Sequence, residues 1–318
     1  MSEVVKLAFS IAGTVIGAGF ATGKELELFF VGNGLSSLLW LATSLFLMAI
    51  VSLLFWKQKK EGITSSLYKY LTPIIIGFSA ASYSVMLACG GETLWESTSL
   101  PQGWGILFTY LLTILIVKTG IKSVYRFNLF ATPLLLCSII GVSFGALLLQ
   151  VGLFGKQNTP CTNMLSYTGY NLLSVFPFLS SVSKETPKKL GKYAIIIGFF
   201  LVALSGILLK SVLNLHSEII SHEAIPMLTI MGILSPYFSY LYTMMLYTAI
   251  LTTAVNGLYA ITKSRNLLSI SAPLFGLSFL GFGPLMENLY SFFGYLGIGI
   301  IGIILIESIQ KSTPTKGL

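Results

Sequence analysis

Four glycines fall within eleven residues, Gly13-Thr14-Val15-Ile16-Gly17-Ala18-Gly19-Phe20-Ala21-Thr22-Gly23, inside the first apolar segment long enough to cross a bilayer. Glycine is a poor helix former, and a backbone group released from a helix at membrane depth needs a partner that hydrocarbon cannot supply. Irregular backbone is tolerated there where it is buried in protein or lines a watery cavity, so this run marks a candidate binding site. Lys24 and Glu25 follow at once on the same segment.

The remaining composition fits a membrane chain. Of 318 residues, 54% are hydrophobic and 9% charged, against about a quarter charged in ordinary soluble domains. No long polar stretch is left for a second domain, so residues 1–318 read as one integral membrane domain. A net charge of +8 can signal nucleic-acid binding, but here the basic residues sit in short loops between apolar runs, where bilayer orientation explains them. The run beginning at Val4 has little basic sequence before it and a glycine-broken core, so no cleavable signal peptide is expected.

Ten segments approach the ~20 apolar residues a span requires: 4–31, 35–56, 72–97, 104–118, 127–150, 164–184, 191–210, 233–262, 267–284 and 287–309. Between the seventh and eighth, Ile219 to Met231 reads as a short surface helix broken at Pro226. With a cytoplasmic N-terminus, 16 of the 19 Lys and Arg residues fall at inner loops and ends. Only Lys156 and Lys210 lie outside, and Lys24 lies within a span. This asymmetry follows the positive-inside rule, placing both termini in the cytoplasm of a multi-pass protein of the cell (inner) membrane.

Five spans per half give the halves opposite orientations, as in inverted-repeat transporters. Repeat one covers about 4–150 and repeat two about 164–309. A shift of 160 residues lays Thr14-Val15-Ile16-Gly17 over Ser174-Val175-Phe176-Pro177, and Lys24-Glu25 over Lys184-Glu185. Pro177 lacks an N–H and clashes with the preceding turn, so a break or kink is expected in span six as well.

The Gly13–Phe20 run, the Tyr170-Asn171 to Pro177 stretch and the ten-span length resemble the YkvI-like bacterial membrane proteins. That family is similar to the wider amino acid–polyamine–organocation superfamily with the leucine-transporter (LeuT) fold. The resemblance implies an all-helical 5+5 inverted repeat with spans one and six unwound around a solute at mid-membrane. It also implies a cation site in which Gly13 and Ile16 offer carbonyls, Ala249 a third, and Thr252 and Thr253 hydroxyls. Positions i, i+3 and i+4 share one helix face, and five neutral oxygens suit a monovalent ion. Sodium is the coupling ion so implied. The span-five lysine of proton-coupled relatives has no counterpart in residues 127–150.

Solute contacts are expected from Thr14, Gly17, Ala18 and Gly19 in span one, where free N–H groups of the second half-helix would favour an anion such as a carboxylate. Ser79, Ser82 and Tyr83 from span three and Asn171, Ser174 and Phe176 from span six complete the set. Helix packing competes as an account of the glycines, since Gly13-x-x-x-Gly17 and Gly19-x-x-x-Gly23 fit the small-residue contact motif. Lys24 and Glu25 near the outer surface, with Glu287 as partner of Lys24, and Lys184 and Glu185 near the inner one, are gate candidates. Solvation at the interface competes for Lys184 and Glu185. For Glu92 snorkelling is the simpler account.

Other chemistry finds little support. His216 and His222, six apart beside Glu218 and Glu223, do not share a helical face well, and the three cysteines are scattered, so no metal site or disulfide framework is expected. All eleven acids are glutamates, no hydrolase motif occurs at membrane depth, and no strand precedes the Gly-x-Gly run, which leaves no enzyme and no cofactor. The expectation is a secondary active transporter, a sodium-coupled symporter of a small organic solute such as an amino acid. Its rivals are a solute-sensing receptor subunit, as in germination permeases, and a passive channel.

Overall fold

The computed structural model describes residues 2–30, 34–61, 65–119, 121–149, 163–220, 223–262 and 266–312, with side chains omitted for 65–70, 121–130, 149 and 309–312. In chain order its helices are α1 (Glu3–Val15), α2 (Ala18–Thr22), α3 (Lys24–Phe29), α4 (Leu35–Lys60), α5 (Ser65–Thr98), α6 (Gln102–Lys118) and α7 (Ile121–Leu149). The series continues with α8 (Met164–Val182), α9 (Lys188–Leu215), α10 (Ser217–Ile220), α11 (Pro226–Leu234), α12 (Pro236–Thr262), α13 (Leu267–Ser278) and α14 (Phe282–Ser312).

The expected segments fall largely on helix among the described residues, but 267–284 runs beyond the end of α13 at Ser278, through non-helical 279–281 and into α14. By length and composition, six helices of the described residues suffice to cross a membrane, namely α4, α5, α7, α9, α12 and α14, and α6 and α13 are shorter apolar helices. Their outward faces carry large apolar side chains, among them Phe46, Phe108, Leu115, Phe200 and Met244, each at least 49% exposed. Such a belt is untenable in water and natural against acyl chains. The expected surface helix Ile219–Met231 is divided between α10 and α11, and Pro226 opens α11 in its first turn, where its missing N–H costs no intrahelical bond; contrary to a surface position, Ile220, Ile225, Met227 and Ile230 are buried.

Small residues bring the helices together. α8 and α14 meet where Gly169 backs onto Gly294 and Gly297, so closely that a Cβ at Gly169 would lie 2.6 Å from the Gly294 carbonyl oxygen. Hydroxyls and amides fasten other pairs. Ser44 and Thr168 join α4 to α8 at 2.9 Å, and Gln58 donates to the Ile304 carbonyl at 2.9 Å and to Ser308 at 2.7 Å. Asn214 on α9 donates to Ser37 on α4 at 3.1 Å.

The first segment is interrupted twice. Ile16 and Gly17 leave the helical region, Gly17 being extended (φ −97°, ψ −170°). Gly23 then adopts a left-handed conformation (φ +81°), where an L side chain is strained, and bends α3 away from α2. Span six behaves otherwise. α8 runs without interruption through Pro177, so the expected break there is absent. Proline keeps a helical φ and removes a single hydrogen bond, which a helix packed against α4 and α14 tolerates.

Candidate functional site

A cavity of about 490 Å³ lies where α1, α2, α5, α8 and α12 converge on the Ile16–Gly17 interruption. Each long helix presents one stripe to it at i, i+3, i+4, i+7 spacing: Ile75, Phe78, Ser79 and Ser82 from α5; Ser174, Pro177, Phe178 and Ser181 from α8; Thr253, Asn256, Gly257 and Ala260 from α12. One end is open, since Lys6, Ser181 and Ala260 there are exposed. The other end is buried, with Glu25, Tyr170 and Tyr290 forming a floor.

Geometry at the interruption follows from backbone accounting. A helix continuing past Val15 would pair the Gly17 N–H with the Gly13 carbonyl and the Ala18 N–H with the Thr14 carbonyl. Instead the Gly17 N–H donates to the Val15 carbonyl at 3.0 Å, and the Ala18 N–H donates to Thr253 Oγ1 at 3.4 Å. The Gly13 and Thr14 carbonyls therefore lose their usual donors beside the cavity. Thr252 and Thr253 both donate to the Ala249 carbonyl, at 2.8 and 3.0 Å, which leaves lone pairs on their hydroxyl oxygens.

Among the expected solute contacts, Thr14, Gly17, Ala18, Gly19, Ser79, Ser82 and Ser174 line the cavity. Both members of two pairs related by the 160-residue echo, Thr14 with Ser174 and Gly17 with Pro177, are among the lining residues. Three expected contacts, Phe176, Tyr83 and Asn171, do not line it. Phe176 lies two residues, or about 200°, from Ser174 around the helix and stacks on Phe55 with ring centroids 4.4 Å apart. Tyr83 is turned away from Ser82 into the core, where its hydroxyl meets Thr113 at 3.1 Å. Asn171 is buried, donates to the Tyr167 carbonyl at 3.2 Å and faces Glu25.

Of the expected cation ligands, Gly13 and Thr253 line the cavity, Ile16 lies at the end of α1, and Ala249 and Thr252 lie behind Thr253 on α12. The glycines also pack tightly. A Cβ at Gly13 would meet Thr132 Cγ2 on α7 at 2.5 Å, one at Gly17 would meet Thr253 Oγ1 at 3.1 Å, and one at Gly19 would meet Glu25 Oε2 at 2.8 Å. Close packing and cavity lining are thus joint roles of the same residues. Anion binding at the second half-helix gains nothing from this arrangement. α2 is five residues long, its first N–H is engaged by Thr253, and the bend at Gly23 prevents its dipole from adding to that of α3.

The charged candidates separate. Glu25 is 1% exposed on the cavity floor, not near a surface, because the left-handed turn at Gly23 redirects the chain as α3 begins. Lys24 donates to the Glu223 carbonyl at 3.1 Å. Glu287 is exposed, and no ion pair joins it to Lys24 among the described residues. Lys184 and Glu185 are exposed in the turn after α8 and do not line the cavity. An ion pair at that end joins Lys188 to Glu61 at 3.1 Å. Glu92 accepts a hydrogen bond from Gln102 at 2.7 Å. His216 is buried, and its Nδ1 lies 2.8 Å from the Val212 carbonyl; His222 and Cys161 lie outside the described residues.

Several lining residues carry no motif. Asn256 follows Thr253 by three positions, so extending the threonine face by one turn finds it. Thr132 and Tyr290 come from α7 and α14, and only the packing of those helices brings them in.

No family model matches the chain. Two proteins of Bacillus subtilis (strain 168) are similar over nearly their whole lengths. YyaD is 27% identical, the alignment covering 96% of this chain and 97% of that protein. The membrane protein YkvI is 24% identical, with 96% of each covered. The resemblance to YkvI thus extends far beyond the span-one and span-six residues.

Among solved structures, the chain is similar to Mhp1, a nucleobase-cation-symport-1 family transporter, in a closed conformation with bromovinylhydantoin bound. The TM-score is 0.59 at 12% identity, covering 96% of this chain and 77% of that one. An inward facing conformation of Mhp1 matches equally, with a TM-score of 0.59, 15% identity, and 95% and 76% covered. The shared property is the all-helical LeuT-like fold, whose solved examples here are membrane transporters and not enzymes. That fold and the six apolar helices make this a multi-pass membrane protein.

Proposed function

We propose that the chain is a secondary active transporter that moves a small organic solute such as an amino acid by alternating access, coupled to sodium. The observation that carries this reading is the cavity at the interrupted first span, open at one end and closed at the other. Sealing a solute site from one side is the physical requirement of alternating access and is foreign to an open channel. With the N-terminus cytoplasmic, as the distribution of Lys and Arg indicates, the open end holding Lys6 faces the cytoplasm and the conformation is inward-open. The ten spans then form two inverted repeats of five, and the presence of Thr14 with Ser174 and of Gly17 with Pro177 on the walls of one cavity supports that pairing.

Sodium would lie between the end of α1 and the middle of α12. The Gly13 and Ile16 carbonyls, the Ala249 carbonyl and the Thr252 and Thr253 hydroxyls are its ligands in this reading. It is supported by the released Gly13 carbonyl and by the lone pairs left on the two hydroxyls. Occupancy would tie α1 to α12, and coupling is limited to the ion's differential affinity for the two conformations.

Uptake into proteoliposomes tests this. Saturable amino-acid uptake that rises with an inward sodium gradient, and loses that dependence in Thr252→Val with Thr253→Val, is expected. Solute binding without flux would replace the reading by a sensor, and flux without saturation by a channel.

A further inference from the structure

The cavity floor holds a carboxylate with no counter-charge. Glu25 Oε2 accepts one hydrogen bond, from the Tyr170 hydroxyl at 3.2 Å. Tyr167 and Asn171 face the same carboxylate, yet among the described residues neither Oε1 nor the Tyr167 hydroxyl has a hydrogen-bond partner. No lysine or arginine pairs with Glu25 among the described residues; neighbouring Lys24 is turned to the Glu223 carbonyl. Aromatic rings surround the site. Tyr170 stacks on Tyr290 with centroids 4.5 Å apart and on Phe29 at 5.8 Å, and Phe78 meets it edge-on at 5.6 Å.

Taking an ionised carboxylate out of water without a partner is strongly unfavourable. Such a carboxyl either keeps its proton or takes a partner from outside the protein, and this one lines a cavity open at its far end, placed there by the left-handed Gly23 and the side-chain-free Gly19. Ring faces attract cations, and attract bulky organic ones as well as small ions. The Glu25 carboxyl, with the Tyr170 and Tyr290 side chains beside it at the closed end of a 490 Å³ space, forms an electronegative surface complementary to an organic ammonium group.

Resting on the transport reading above, we infer that Glu25 is the solute-anchoring residue, and that the transported solute carries an amine or other cationic nitrogen seated against Glu25, Tyr170 and Tyr290. The ammonium donates to Glu25 Oε1, and its remaining protons or methyl groups face the rings. The solute's other end points towards Ser174 and the open mouth. The deciding group is then positive, and any carboxylate on the solute is secondary. A solute of this class bound from the cytoplasmic side is tied to α3 through Glu25.

The test uses purified full-length protein and defined probes. Melting shifts are measured with L-leucine, L-phenylalanine, phenethylamine and choline, and with the deaminated acids 4-methylpentanoate and 3-phenylpropionate. At least one amine-bearing probe should stabilise the protein while its deaminated analogue does not, and Glu25→Gln should weaken that binding about ten- to a hundredfold, as for loss of a charged hydrogen bond. Glu25→Asp, which keeps the charge, should lose less. Equal binding of the deaminated acids, unchanged amine binding in Glu25→Gln, or no response to any amine overturns the inference. So does a sodium- or proton-dependent stabilisation that alone disappears in Glu25→Gln, which would make Glu25 an ion site.

A ligand-free arm covers the case of an unstable variant. Ser174→Cys in a chain freed of Cys89, Cys137 and Cys161 is modified with cationic and anionic methanethiosulfonates. The preference for the cationic reagent should fall about fivefold or more when Glu25→Gln or Glu25→Ala is added, and an unchanged preference counts against the anchor. Amine binding lost in Glu25→Gln without any uptake by wild type would remove transport and keep the anchor; sodium-driven uptake indifferent to Glu25→Gln would do the reverse.

Discussion

The first span and α8 face each other across the same cavity, and each carries a helix-disrupting residue halfway along, yet only one of them breaks. Gly17 and Gly23 take extended and left-handed conformations that lie outside the helix altogether, so the chain between Val15 and Lys24 is redirected. Pro177 keeps a helical φ, and α8 continues through it, held by Phe176 on Phe55 and by Gly169 against α14. The two devices differ in yield. The glycines release the Gly13 and Thr14 carbonyls and turn Glu25 inward, whereas Pro177 leaves one carbonyl, that of Leu173 on the cavity wall, without its usual donor. Conformational freedom moves the backbone at this depth; loss of one donor only exposes it.

This contrast can be broken most severely at the contact that keeps α8 straight. Gly169→Leu would drive a side chain into the Gly294 backbone and should cost about 3 kcal/mol or more, seen as lost monodispersity and a large fall in Tm. If the variant stays folded with α8 unshifted, packing is not what holds the proline helix.

Next in size is Gly23→Ala, which adds a left-handed strain of about 1–2 kcal/mol to a Cβ only 2.9 Å from Leu213. It should lower Tm more than Gly17→Ala, whose φ is ordinary and whose new Cβ meets only Thr253 at 3.1 Å. The reverse order would make the first interruption, not the second, the strained one.

Pro177→Ala should do the opposite and raise stability by about 1 kcal/mol, by giving the Leu173 carbonyl a donor, while slowing uptake in the proteoliposome assay. No change in Tm would mean that this carbonyl is already satisfied. The smallest effects belong to the second Lys-Glu pair. Lys184→Gln and Glu185→Gln are exposed substitutions that should alter stability by less than about 0.5 kcal/mol and leave uptake intact. A marked loss of transport in either would restore them as an inner gate and undo their contrast with buried Glu25.

Much of this was legible in the chain. Long apolar runs give helices wherever backbone groups cannot reach water, and the glycine density between 13 and 23 locates the interruption, because no other residue yields φ of +81° without strain. The stripe logic finds Ser79, Ser82, Ser174 and Thr253, and the same logic rejects Phe176 and Tyr83 once the facing direction of each helix is known. That direction was missing from the sequence, as was the outcome at Pro177, where local preference favours a break and neighbouring helices override it.

By itself, then, the sequence determined a membrane-embedded helical chain with a weak point in its first span and a pair of adjacent threonines on a later one. Hydrophobicity and backbone preference act over a few residues and need no partner helix to be read. Only the tertiary structure decided that Glu25 faces inward and Lys24 outward, and that Tyr170 and Tyr290 close the floor beside it. Those outcomes depend on one left-handed turn and on rings from helices over a hundred residues apart, which no local pattern encodes.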